Sequence, residues 1–327
     1  MKKYVLLMMI IGLGILAGCH TKTFTPVPLE MKTLISVNIK DGSLTFLDLE
    51  NNKVFTEWKI KQPIKGASLL PDGKTLLLYG NELDKVQLYN LAKGTLEREW
   101  KTGKGIVNAI VSNDGKHLFF ADQHKNAVRI FSLRGKELGI VKVGKKPLTL
   151  LQNNSGTKIY AVNFAEPILS VIDVQRKRVI EKINIPKASA GGLIREEQKQ
   201  LWIGGHGNGK EIQSNIHVYS LETGKLLDMI HAPKMPIYFI ETKHGIFALS
   251  HGTSMIRKYN EHFQETGSLQ IGANPFAMAA GEQELYIASY DSNEIYKVDQ
   301  QHLKIIDKFP SGNGPFQLII REGHSLE

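Results

Sequence analysis

Leu44-Thr-Phe-Leu-Asp-Leu49, Val86-Gln-Leu-Tyr-Asn-Leu91, Val128-Arg-Ile-Phe-Ser-Leu133, Leu169-Ser-Val-Ile-Asp-Val174 and Ile216-His-Val-Tyr-Ser-Leu221 are five copies of one short pattern. Apolar and polar side chains alternate through each, which is the period of a β-strand. Weaker copies follow at Ile256-Arg-Lys-Tyr-Asn-Glu261 and Ile295-Tyr-Lys-Val-Asp-Gln300. The fourth positions of the seven copies are Leu47, Tyr89, Phe131, Ile172, Tyr219, Tyr259 and Val298, spaced by 42, 42, 41, 47, 40 and 39 residues. A repeat of roughly 40–50 residues with four strands per unit is the pattern of a propeller.

The other strands of each unit lie around this one. Upstream runs such as Thr75-Leu-Leu-Leu-Tyr79, His117-Leu-Phe-Phe-Ala121 and Lys158-Ile-Tyr-Ala-Val162 supply a second strand. Turns such as Pro71-Asp-Gly-Lys74 and Asn113-Asp-Gly-Lys116 precede it, with the Asp-Gly pairs that a tight hairpin requires. Short apolar stretches, Ile106 to Val111 among them, form the innermost strand, and Leu96 to Trp100 or Leu226 to Ile230 the outermost. The repeats begin near Thr33 with a second strand, so one inner strand is missing at the start. It is found at the end: Gly314-Pro-Phe-Gln-Leu-Ile-Ile320 matches Asn274-Pro-Phe-Ala-Met278. The expected fold is therefore all-β, a seven-bladed β-propeller of four-stranded antiparallel blades over residues 33–322, closed by the C-terminal strand completing the N-terminal blade. Closure removes the free edges that invite aggregation.

Ile159-Tyr-Ala-Val-Asn163, Leu169-Ser-Val-Ile-Asp173 and Leu285-Tyr-Ile-Ala-Ser289 resemble the strands of the YVTN-type seven-bladed propeller family, with its Asp-Gly-Lys turns. Most blades depart from the strict motif, as in a divergent member. The Gly-His and Trp-Asp pairing of WD repeats does not recur, and neither do the tryptophan docking motifs of quinoprotein propellers.

The N-terminus carries a second message. Lys2 and Lys3 precede an apolar run from Tyr4 to Ala17 that ends in Leu16-Ala17-Gly18-Cys19. The run, at about 14 residues, is short of the ~20 that a membrane span needs and has the layout of a secretory signal. The four residues resemble the lipobox of bacterial lipoproteins. That resemblance implies a signal peptide over 1–18, a diacylglycerol thioether on Cys19 and residence on the extracytoplasmic side of a cell membrane. Cys19 is the single cysteine, which excludes intramolecular disulfides and cysteine-rich zinc sites. Residues 19–32 read as the lipidated cysteine and a Thr- and Pro-bearing tether, and 323–327 as a C-terminal tail. Loss of Lys2 and Lys3 with the leader takes the formal charge from +9 to +7. Such a balance suits an anionic partner.

Loops from an outermost strand to the next innermost one, and loops between second and third strands, share one rim. The first set is rich in lysine, with Lys61, Lys65, Lys101, Lys104, Lys142, Lys145, Lys146, Lys187 and Lys234. Of these, Lys61, Lys104, Lys145, Lys146, Lys187 and Lys234 are the expected contacts to an anionic ligand. The second set offers His206, within Gly204-Gly-His-Gly-Asn-Gly209, and His251 in the corresponding loop one blade on. Paired imidazoles with a carboxylate bind metals or act as acid and base. No Gly-x-Ser-x-Gly nucleophile motif occurs, and 204–209 does not open a helix as a nucleotide-binding loop would. No cofactor, metal or catalytic residue is expected.

Two functions follow. One is a non-catalytic binding or scaffold propeller, held at the membrane by lipid, for an envelope protein, an anionic polymer or an anionic ligand. The alternative is a lactonase-like hydrolase with its site at the channel mouth, since similar seven-bladed propellers include sugar-lactone hydrolases. That reading requires His206 and His251 within about 10 Å of each other or of a carboxylate. Nucleic acid is not the expected partner, because aromatics are not interleaved with the basic loops for base stacking.

Overall fold

The structure is a computed structural model that describes residues 23–323. The expected signal peptide, Cys19 and the end of the expected tail, 324–327, lie outside the described residues. The rest forms seven four-stranded antiparallel sheets. Each innermost strand packs on the innermost strands of the two neighbouring blades, so the sheets make a closed ring about a central channel.

The blades are 33–59 with 315–321, then 66–101, 106–142, 147–184, 189–231, 236–270 and 275–310. Second strands such as Thr33–Asn38 and Thr75–Tyr79 are buried along their whole length. They lie between neighbouring blades on both faces, and this is why they read as nearly unbroken apolar runs. The outermost strands are exposed or half-buried along their length, and the penultimate position is where they bury a side chain most deeply. There Trp58, Trp100, Val141, Ile183, Ile230 and Phe309 are buried and Leu269 is half-buried. One apolar side chain per blade thus fastens the outer wall to the core.

Ring closure follows the expected pairing. Strand Pro315–Arg321 pairs antiparallel with Thr33–Asn38, from Thr33 opposite Arg321 to Val37 opposite Gln317. The Gln317 side chain then bridges to the second blade. Its Nε2 donates to the Ala67 carbonyl at 3.0 Å and its Oε1 accepts from the Ala67 N–H at 2.8 Å. Arg321 is almost wholly buried, and its Nη2 donates to the Met31 carbonyl at 2.9 Å and to the Pro28 carbonyl.

The segment read as a tether is corrected from Thr23 onward: it is a strap packed on the propeller. Thr23 forms a β-bridge with Thr95. The Phe24 N–H donates to the Gly94 carbonyl and the Val27 N–H to that of Leu91, both at 2.8 Å. The Phe24 ring stacks on Trp58 at 4.9 Å, and the Trp58 indole donates to the Thr25 carbonyl at 2.9 Å. Val27 is fully buried. Gly94 lets the strap come this close, because a Cβ there would collide with the Phe24 carbonyl oxygen. The threonines and prolines suggested a solvated linker, but Phe24 and Val27 supply an apolar edge that fills the seam between the first two blades.

Complete burial of a phenylalanine is worth roughly 3–5 kcal/mol against alanine. Phe24 is half-buried, so Phe24→Ala is expected to cost about 2 kcal/mol. A lower urea midpoint with an unchanged denaturant slope checks this. An unaltered midpoint would mean that the strap does not hold.

Candidate functional site: a ring-lined channel mouth

Strands alternate in direction, so the residue just after each second strand emerges on the same rim. In chain order these are Ile39, Gly80, Gln123, Phe164, His206, His251 and Tyr290. Four consecutive blades therefore place an aromatic or imidazole ring at one equivalent position. The innermost strands Pro275–Ala280 and Pro315–Arg321 add Phe276 and Phe316, each at the second residue.

These rings form a continuous arc. Centroids are 6.1 Å apart for Phe164 and His206, 5.9 Å for His206 and His251, 4.4 Å for His251 and Phe276, and 4.9 Å for Phe276 and Phe316. Tyr290 packs edge-on against Phe276 at 5.3 Å. Two lysines end the arc: Lys65 Nζ lies 4.1 Å from the Phe316 centroid and Lys40 Nζ 4.2 Å from that of Tyr290. Gly204 contributes to the arc through its lack of a side chain. A Cβ there would collide with the Pro236 carbonyl oxygen, so glycine lets the fifth and sixth blades approach and brings His206 beside His251.

The arc overlooks a cavity of about 700 Å³ in the channel, a volume typical of small-molecule sites. Lys65, Asn108, Thr149, Gln152, His206, Phe276 and Phe316 line it, with apolar side chains of the innermost strands between them. His251 and Tyr290 pack against the lining rings. A second hollow of about 490 Å³ lies between the outer parts of the fifth and sixth blades, lined by Asp228, Met229, His262 and Glu265, away from the arc.

Charge at the mouth is arranged asymmetrically. Burial lowers the pKa of His206, with the neighbouring His251 acting in the same direction. Burial lowers that of His251 too, while the Pro275 backbone and the Asp291 carboxylate oppose it. Burial thus favours the neutral form of both imidazoles, and their Nδ1 atoms are buried without a hydrogen-bond partner among the described residues. Burial also lowers the pKa of Lys65. Asp291, whose charge acts on His251, is engaged by Lys40 at 2.7 Å and by Asn274.

The expected lysines divide from this site. Lys61, Lys104, Lys145, Lys146, Lys187 and Lys234 are all exposed, and none lines the cavity. Lys104 meets Glu82 at 3.4 Å, and the backbone N–H groups of Lys145 and Lys146 are held by Glu166 and Asn126. The structure brings His206 and His251 together and puts Lys65 at the cavity instead. Lys40, Phe164, Phe276, Tyr290 and Phe316 were not anticipated as site residues. Aligning the repeats on the residue after each second strand reveals Phe164 and Tyr290 beside the two histidines. Among the described residues, no group of three or more His, Cys, Asp or Glu side chains is placed to hold a metal ion.

No family model and no curated protein sequence matches the chain. Solved structures do. A dihydro-heme d1 dehydrogenase, NirN, in complex with DHE superposes with a TM-score of 0.67 at 13% identity, over 92% of this chain and 77% of that one. A functionally unknown protein from Desulfotomaculum acetoxidans DSM 771 superposes with a TM-score of 0.73 at 10% identity, over 89% of this chain and 99% of that one. At such identities the likeness is one of fold. The chain is a seven-bladed β-propeller with a ring-lined channel mouth.

The lowered histidine pKa values tie stability to pH. Between the ordinary value near 6.5 and their lowered midpoints, the folded chain binds fewer protons than the unfolded one. Their effect on stability is nil above about pH 6.5, and folding weakens as pH falls through the lowered midpoints. The His206→Gln, His251→Gln double variant should show a shallower acid loss in chemical denaturation. Some slope will remain, because burial lowers the pKa of His217 as well. An identical slope in the variant would refute the assignment.

Proposed function

We propose that the chain is a divergent YVTN-type lipoprotein, anchored through Cys19 on the extracytoplasmic side of a cell membrane, that binds an anionic ligand at the channel mouth without transforming it. The carrying observation is the arc itself. Five rings from blades four to seven and the first flank a cavity that Lys65 enters, while Asp291 is already engaged by Lys40. Flat apolar surface suits a planar group, and a half-buried ammonium with no carboxylate partner among the described residues suits a negative charge. The exposed lysines of the rim would raise the encounter rate of such a ligand. That a propeller of similar fold was solved in complex with DHE supports the capacity of this architecture to carry a ligand.

Binding can be measured with 8-anilinonaphthalene-1-sulfonate, a flat ring system bearing a sulfonate. Saturable fluorescence is expected, weakened about tenfold by Phe316→Ala or Lys65→Met, a loss of about 1.4 kcal/mol each. Binding unchanged in both variants would sink the site. Attachment is tested separately: Cys19→Ser should move the chain from the membrane to the soluble fraction, and persistent attachment would contradict the lipid anchor.

The second reading is a lactonase-like hydrolase, favoured by the 5.9 Å separation of His206 and His251. A neutral imidazole can accept a proton from water attacking a lactone carbonyl. Proton release from simple lactones in a pH-stat decides between the two. Turnover abolished by His206→Gln or His251→Gln would establish catalysis, and no turnover above background leaves the binding function.

A further inference from the structure

The path of the strap says which way the propeller faces. Turns between first and second strands, and between third and fourth strands, emerge on the rim opposite the ring-lined mouth. The strap runs along that opposite rim. Its hydrogen bonds go to Leu91 and Gly94, in the turn between the third and fourth strands of the second blade. Its inner end is held by Arg321, where the closing strand finishes on the same rim. It leaves the propeller at Thr23, bridged to Thr95 at the start of the second blade's outermost strand.

Thr23 stands four residue steps after Cys19, with His20, Thr21 and Lys22 between them. Whatever path they take, they span at most about 14 Å. We infer that the rim opposite the mouth, at the outer edge of the second blade, lies against the bilayer, and that the ring-lined mouth faces away from it. This rests on lipidation of Cys19. Because residues from Thr23 onward are packed as a strap and not free as a tether, the body is held close to the bilayer on a known side.

The charges near the exit fit an anionic bilayer surface. The equivalent turns of the next two blades carry Arg134, Lys136, Arg176 and Lys177, with Arg178 opening the strand that follows, all exposed. Their partners are few. Arg176 meets Asp173 at 3.6 Å and Lys177 Nζ donates to the Leu138 carbonyl, while nearby Glu137 is bound by Arg129 from within. A cluster of cations beside a lipid anchor is the usual second contact by which a membrane protein engages acidic headgroups.

The test uses the full acylated protein in vesicles of phosphatidylcholine with phosphatidylglycerol, compared with the same protein in detergent micelles. Both are treated with an amine-acetylating reagent and read residue by residue by mass spectrometry. Labelling of Lys136 and Lys177 should fall about fivefold or more in vesicles, and that of Lys145, Lys146 and Lys187 should not change. Equal labelling of both rims, or protection of the mouth lysines, would overturn the orientation. Pure phosphatidylcholine vesicles should give weaker protection of Lys136 and Lys177, and undiminished protection would remove the role of the basic turns. The mass of the N-terminal peptide in the same samples reports the acyl group. An unmodified Cys19 would remove the anchor reading itself, a failure distinct from an acylated protein with the wrong footprint.

Discussion

The pairing of Pro315–Arg321 with Thr33–Asn38 is the constraint on which the rest depends. Each blade can bury its faces only against two neighbours, so an open series would leave two apolar faces and an unpaired edge. One antiparallel ladder between the ends of the chain removes all three. It also places Phe316 beside Phe276 and sets Gln317 against Ala67. The channel mouth is therefore a product of closure, and no isolated blade could present it. Because the two partners are almost a chain length apart, the loop that must close is the longest available, and such non-local pairing makes for slow folding.

The mouth itself is governed by desolvation more than by ion pairing. Burial biases its imidazoles toward the neutral form, its lysine faces a ring, and the Asp291 carboxylate is already engaged by Lys40. An arrangement of this kind leaves interaction capacity unspent. The orphaned Nδ1 atoms of His206 and His251 and the Oδ1 of Asn108 are examples, each costly to bury without a partner.

The fold was legible because a period near 42 residues repeats a physical necessity seven times. Every blade needs buried second and third strands and a tight turn, and Leu118-Phe-Phe-Ala121 or Val86-Gln-Leu-Tyr89 shows it directly. The site was legible only in part. His206 and His251 stood out as polar rings in loops, and the 5.9 Å between them depends on Gly204, whose reason is a close approach by another blade. Lysines were easy to count and therefore over-weighted. Those of the collar point to solvent, and Lys65 differs from them by position in three dimensions, not by residue type. Phe276 and Phe316 read as strand residues, which they are, since one strand turns alternate side chains to the channel and to the core. The strap was hidden by its composition, for two apolar residues among threonines and prolines carry little periodic signal.

The position after each second strand has a further meaning. Ile39, Gly80 and Gln123 occupy in three blades the place that rings occupy in the other four. These three are not equally open: a Cβ at Gly80 would collide with the Pro63 carbonyl oxygen and Ile39 packs on the core of the first two blades, whereas Gln123 is a half-buried side chain beside the Phe164 end of the arc. An aromatic residue at position 123 would lengthen the arc by one blade while the packing beneath stays as it is, whereas rings at positions 39 and 80 would first have to displace core contacts.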